Sequence, residues 1–214
     1  MTNHTFSWKL FNQMPVVGII RNLTIEDINF LMPFYIEAGF TTIEITLNTP
    51  DALEAIQLVI KQYDGKINIG AGTVCTLNDA NSAIAAGAQF IVSPIVNKEV
   101  ITKCTQLGIP IFPGAFTPTE IYEAWALGAP MIKVYPASFL GPNYISSILS
   151  PLNTIKLLPT GGINISNIIP FMKAGASGVG VGSELFDKAI IQKRDANALK
   201  EKLGLYIKQM DSLQ

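Results

Sequence analysis

Short β-branched apolar runs recur along the chain, at residues 16–20, 42–47, 67–71, 90–93, 110–112, 131–134, 155–159 and 178–181. Their spacing, about 20 to 25 residues, is that of one strand-plus-helix unit. Between them lie segments with a helical apolar period: 25–38, 50–63, 77–86, 98–106, 118–126, 144–149 and 166–173. Several end in a glycine just past the last apolar position, namely Gly39, Gly87, Gly108, Gly128 and Gly175. Glycine there suits the left-handed residue that closes a helix. The pattern predicts eight strands alternating with helices, a short extra helix at 7–13 before them and a helix near 196–208 after them.

Eight alternating units leave two architectures, an open doubly wound sheet or a closed (β/α)8 barrel. The polar positions favour closure. In the second run Thr42, Glu44 and Thr46 face one way, while Ile43, Ile45 and Leu47 face the other. A sheet covered by helices on both faces takes a polar face poorly, whereas a barrel interior accepts one near its mouth. A minimal barrel needs about 190 residues, and the chain has 214. The expectation is a single TIM-barrel domain over 1–214.

Composition narrows the chemistry. Hydrophobic residues make up 49% of the chain and charged ones 14%, so the apolar content excludes disorder. The low charged fraction also points to surface buried in an oligomer. A formal net charge of −1 gives no electrostatic case for nucleic acid or an anionic membrane surface. The one histidine is His4, which excludes histidine triads and histidine-ligated zinc. Cys75 and Cys104 form no CxxC motif and read as free thiols of a reducing compartment. The start lacks the basic and apolar regions of a signal peptide, and no apolar run approaches the ~20 residues of a membrane span. A soluble cytoplasmic protein is expected.

Lys133 is the most unusual residue, set in the apolar strand Met131-Ile132-Lys133-Val134. Alternation turns Ile132 and Val134 outward and Lys133 inward. Burial disfavours the ammonium form, and the freed amine suits Schiff-base chemistry with a carbonyl substrate. The bland alternative is a lysine whose stem packs and whose head reaches a strand end. Glu44 holds the same inward phase in the second strand, where it serves either acid–base catalysis or a buried ion pair that only braces the barrel. Arg21 and Thr73 follow strands 1 and 3, at the mouth where barrel enzymes keep their sites. Arg21 suits a carboxylate and Thr73 offers a hydroxyl; a surface arginine and a helix cap are the alternatives. The seventh unit ends Pro159-Thr160-Gly161-Gly162 and the eighth Gly180-Val181-Gly182-Ser183. Loops in these two places commonly bind phosphate, with backbone N–H groups at the glycines and a helix starting at Ser183; two tight turns are the alternative. Pro94, Phe116 and Tyr135 stand near strand ends as candidate mouth residues.

The segments PVVGIIR, AGFTTIEITLNTP, IGAGTV, GAQFIVSP, IPIFPGAFTPTE, IKVYPAS, LLPTGGI and GVGS span nearly the whole chain. Together they resemble the class I aldolases of 2-keto-3-deoxy-6-phospho-sugar acids and the related 4-hydroxy-2-oxoglutarate aldolases. The resemblance implies Schiff-base formation at Lys133 and proton movement at Glu44. It implies that Arg21 and Thr73 hold the keto-acid end, that Gly162, Gly182 and Ser183 bind phosphate, and that the assembly is a homotrimer. Phosphogluconate-type members often carry arginine where this chain has Asn48. The LNTP run and Phe139-Leu140-Gly141-Pro142 look like the phosphogalactonate branch, and Leu158-Pro159-Thr160-Gly161-Gly162 like the phosphogluconate branch.

The expected reaction is cleavage of such a sugar acid to pyruvate and glyceraldehyde 3-phosphate. Lys133 and Glu44 are its catalytic pair, and Arg21, Thr73, Pro94, Gly161, Gly162, Gly182 and Ser183 its substrate contacts. No metal or organic cofactor is expected, since a protonated imine is itself the electron sink. Two other readings stay open at this stage. One is a phosphosugar isomerase or epimerase using Glu44 as base; the other is a non-catalytic barrel that senses a phosphorylated ligand.

Overall fold

Period-two runs this short reach stability only by pairing side by side, and all eight predicted strands do so, one of them in two pieces. A computed structural model describes residues 5–213; His4 lies outside them. The strands are β1 (Val16–Ile20), β2 (Thr42–Thr46), β3 (Asn68–Gly72), β4 (Phe90–Val92), β5 (Ile111–Phe112), β6 (Gly114–Ala115), β7 (Ile132–Val134), β8 (Leu157–Pro159) and β9 (Val179–Val181). They pair in parallel in the orders β5-β4-β3-β2-β1-β9 and β6-β7-β8. β5 and β6 are halves of one strand. Pro113 between them has no N–H for the ladder, although its carbonyl accepts the Lys133 N–H at 2.9 Å. Chain continuity through Pro113 and a parallel bridge between Thr160 and Gly180 close the ring. The result is the TIM-barrel fold expected from the pattern.

The surrounding helices are α1 (Trp8–Gln13), α2 (Ile25–Glu37), α3 (Ala52–Tyr63), α4 (Leu77–Ala85), α5 (Lys98–Gln106), α6 (Pro118–Ala126), α7 (Gly141–Leu149), α8 (Ile168–Lys173), α9 (Lys188–Gln192) and α10 (Ala196–Asp211). Their starts follow local hydrogen-bond chemistry. Thr24, Thr76 and Thr117 each form a reciprocal capping box with the acidic residue three positions on. The five glycines past the helix ends have φ between 69° and 102°, the conformation that made them glycine.

Several boundaries differ from expectation, three of them for visible local reasons. α7 begins at Gly141 rather than 144, because Pro142 falls in its first turn, where a missing N–H costs nothing. α8 begins at Ile168 rather than 166, because Asn164 and Asn167 bind each other's turn: the Ser166 N–H donates to Asn164 Oδ1 and the Asn164 N–H to Asn167 Oδ1. No helix starts at Ser183. Residues 183–185 form a single turn, with the Leu185 and Phe186 N–H groups both donating to the Gly182 carbonyl. The next helix starts at Lys188, capped by the Asp187 side chain.

The two faces of each strand meet different cores. Ile43, Ile45, Ile69 and Val134 pack outward against the helices. Inside, Val17, Phe90, Val92, Phe112, Met131 and Leu158 cluster with Phe6 and Phe11 from the N-terminal segment. That segment plugs one end of the barrel, and Asn68 latches it: the Asn68 side chain accepts the Ser7 N–H at 2.7 Å and donates to the Ser7 carbonyl at 3.0 Å. Phe11→Ala is therefore expected to lower the unfolding free energy by about 3–5 kcal/mol, read from the urea midpoint at constant m. A loss below about 1 kcal/mol would show that the plug stands outside the cooperative unit.

Candidate active site

With one end of the barrel filled by aromatic rings, the polar interior residues are left towards the other. Small residues make room for them. At Gly72 an added Cβ would lie 2.5 Å from Glu44 Oε1, so a glycine on β3 is what lets a carboxylate from β2 occupy the interior. Glu44 is 1% exposed, and its Oε1 has no hydrogen-bond partner. Lys133, on β7, is 4% exposed. Its Nζ lies over the Tyr135 ring, 5.0 Å from the centroid.

Burial governs the charge state of both groups. It lowers the Lys133 amine below the ordinary lysine range, against the opposing pull of Glu44; Arg21 lowers it further. It raises the Glu44 carboxyl, against the opposing fields of Lys133 and Arg21. No ion pair within 4.0 Å joins the two among the described residues. Burial disfavours the charged form of each group, while the opposite charge of its neighbour draws it back the other way.

A cavity of about 590 Å³ opens over Lys133 and brings Arg21, Gly161, Gly162, Gly182 and Ser183 together around it. Arg21 directly follows β1; its exposed side chain enters no ion pair among the described residues. Gly161 and Gly162 have φ of 90° and 76°. At Gly162 a Cβ would also fall 2.5 Å from Ser138 Cβ, so the loop after β8 packs directly on the loop after β7. The N–H groups of Gly162, Ser183 and Glu184 meet no acceptor among the described residues, and all three residues line the cavity.

Glu44, Thr73 and Pro94 are not on the lining of that cavity. Glu44 is buried, within electrostatic reach of Lys133 and Arg21. Thr73 follows β3 at φ 59°, a left-handed conformation that costs a β-branched residue about 1–3 kcal/mol. It caps no helix, since Thr76 caps α4. Pro94 lines an adjoining cavity of about 310 Å³ with Gly114 and Phe116, and Tyr135 forms the wall shared by the two. Asn48 is exposed in the turn after β2.

The cavity over Lys133 is also lined by Thr160, Asn22 and Lys188, which the pattern did not single out. Thr160 carries a readable signal, the inward phase two residues after Leu158. Among the described residues no three His, Cys, Asp or Glu side chains are grouped as metal ligands, and no helix is long and apolar enough to cross a membrane.

Comparison with known proteins bears on this arrangement. The protein family described as KDPG and KHG aldolase matches residues 9–202. A 2-dehydro-3-deoxy-6-phosphogalactonate aldolase of Escherichia coli is 33% identical over 175 residues, 81% of this chain and 85% of the relative. The solved native KDPGal structure superposes with a TM-score of 0.88 at 29% identity, covering 97% of this chain and 98% of that one. A KDPG aldolase from Legionella pneumophila, solved with pyruvate captured as a covalent carbinolamine intermediate, superposes with a TM-score of 0.82 at 29% identity, covering 91% and 95%.

Proposed function

We propose a reaction for this chain, which belongs to the KDPG and KHG aldolase family: reversible class I cleavage of a 2-keto-3-deoxy-6-phospho-sugar acid to pyruvate and glyceraldehyde 3-phosphate. The protein is a lyase of the Schiff-base type. One observation carries the assignment of roles: a lysine amine almost sealed from water, its charged form disfavoured by burial, at the wall of a cavity that also holds an arginine and a set of free backbone N–H groups.

The Lys133 lone pair attacks the C2 carbonyl; a proton relayed from the Glu44 carboxyl lets the carbinolamine hydroxyl leave as water, and an iminium remains. Glu44 is off the cavity lining, so it acts through a bridging water; now a carboxylate, it takes the C4 hydroxyl proton. The C3–C4 bond then breaks, its electrons pass to the iminium nitrogen, and glyceraldehyde 3-phosphate departs. The same acid returns a proton to C3 of the enamine, and water then hydrolyses the iminium to pyruvate and the free amine, the released proton going back to Glu44. The protonated imine is the electron sink, so the scheme calls on no metal or organic cofactor. Arg21 and Thr73 hold the keto-acid end, with Pro94 beside it. Gly161, Gly162, Gly182 and Ser183 receive the phosphate.

A cytoplasmic homotrimer with no nucleic-acid partner completes the proposal. Exposed Phe116, Trp125 and Phe139, the last 83% exposed, support a subunit contact; sedimentation tests it.

The deciding assay supplies both C4-epimeric substrates and follows pyruvate. Pyruvate and glyceraldehyde 3-phosphate released in equal amounts from at least one epimer is the expected result. Interconversion of sugar phosphates without pyruvate would replace this assignment with an isomerase or epimerase.

A further inference from the structure

Two buried hydroxyls near the mouth have no part in the reaction above. Thr46, at the end of β2, is 0% exposed, and Thr49, three residues on, is 4% exposed. Burying hydroxyls is costly unless each is satisfied, and their partners are specific. Thr46 Oγ1 donates to the Ile20 carbonyl at 3.1 Å. Thr46 and Thr49 Oγ1 lie 3.0 Å apart. The Asn22 N–H donates to Thr49 Oγ1 at 3.1 Å.

Proton counting fixes the direction of the chain. A hydroxyl has one hydrogen. Thr46 spends its hydrogen on the Ile20 carbonyl, so the shared bond must use that of Thr49. Thr49 in turn accepts from the Asn22 N–H. The relay therefore runs Asn22 N–H to Thr49 to Thr46 to the Ile20 carbonyl, with each hydroxyl donating once and accepting once. Its two ends are the backbone groups on either side of Arg21.

We propose that Thr46 and Thr49 form a hydroxyl clamp that positions Arg21 for the substrate carboxylate. The chain leaves its extended conformation immediately after Arg21, at Asn22 with φ 53°. Asparagine reaches that conformation more easily than most non-glycine residues, and the bond from its N–H to Thr49 Oγ1 helps hold it there. The clamp pins the carbonyl before Arg21 and the N–H after it to the end of β2 and its exit loop. The guanidinium then samples fewer directions, and substrate binding loses less entropy. Thr46 and Thr49 touch no reacting atom; they are positioning residues. The inference rests on the proposed carboxylate-binding role of Arg21.

A double-mutant cycle tests it. Thr49→Val keeps the volume and removes both hydrogen bonds. It is expected to raise KM for the phosphorylated sugar acid about tenfold, the scale of one broken buried bond, with kcat within about twofold. Thr49→Ser restores the hydroxyl and is expected to restore KM. In an Arg21→Ala background, Thr49→Val is expected to add nothing, because the group it positions is gone. Additive losses, or an unaltered KM in Thr49→Val, would overturn the clamp while leaving the aldolase assignment intact. An unaltered KM in Arg21→Ala alone would overturn the carboxylate role itself. Should Thr49→Val fail to fold, Thr49→Ala enters the same cycle with the same expected and contrary outcomes.

Discussion

Lys133→Met is expected to abolish aldol cleavage, lowering kcat by more than about 10⁴-fold, the scale seen when a covalent nucleophile is removed. Methionine nearly matches the length of the lysine stem and is at home in an apolar strand. The variant should therefore fold as well as the parent. It relieves the burial of an ionisable amine, so its urea midpoint should be equal or higher. An enzyme that lost activity only by unfolding would say nothing about the amine. A folded Lys133→Met that kept normal turnover would contradict the mechanism.

The pH profile carries the same point. The nucleophile is the free amine. Burial lowers its pKa, so kcat/KM should rise with pH through that lowered value and level off below the ordinary lysine range. A rise continuing to an unperturbed lysine pKa would place the reacting amine in open solvent.

Glu44→Gln has the second-largest expected effect, a loss of about 10² to 10⁴-fold in kcat, the usual contribution of a positioned acid–base group. Glutamine keeps the shape that fits against Gly72 but cannot exchange a proton. Imine formation with pyruvate should survive better than carbon–carbon cleavage, because water can assist the first step and not the second. A further sign separates this from a structural defect. The Glu44 charge holds the Lys133 pKa up against burial. Removing it should move the rising limb of the pH profile to lower pH. A limb that stayed in place, or moved to higher pH, would show that Glu44 does not face the amine.

Much of this was legible in the residues. Alternation alone put Glu44 and Lys133 inside the barrel, since a period of two leaves no other face for them. Glycines past the helix ends marked those ends, because few other residues adopt a positive φ. What alternation lacks is depth along the barrel axis. It gave no sign that Glu44 would be absent from the cavity lining while Lys133 lies on it, or that Pro94 would line the adjoining cavity. The helix expected at Ser183 failed for a local reason: only one turn closes on the Gly182 carbonyl before Asp187 caps a new helix. The split of the fifth strand at Pro113 was readable from proline chemistry. The clamp on Arg21 was not, since it joins residues from two strands through hydrogen-bond directions that no single run of sequence records.

The most direct measurement of the central claim is reductive trapping. The protein is incubated with pyruvate and borohydride, digested, and analysed by mass spectrometry. A reduced pyruvyl adduct on Lys133, matched by loss of activity, is the predicted result. Fully active protein with Lys133 unlabelled, or an adduct on a different lysine that tracks the inactivation, would contradict it.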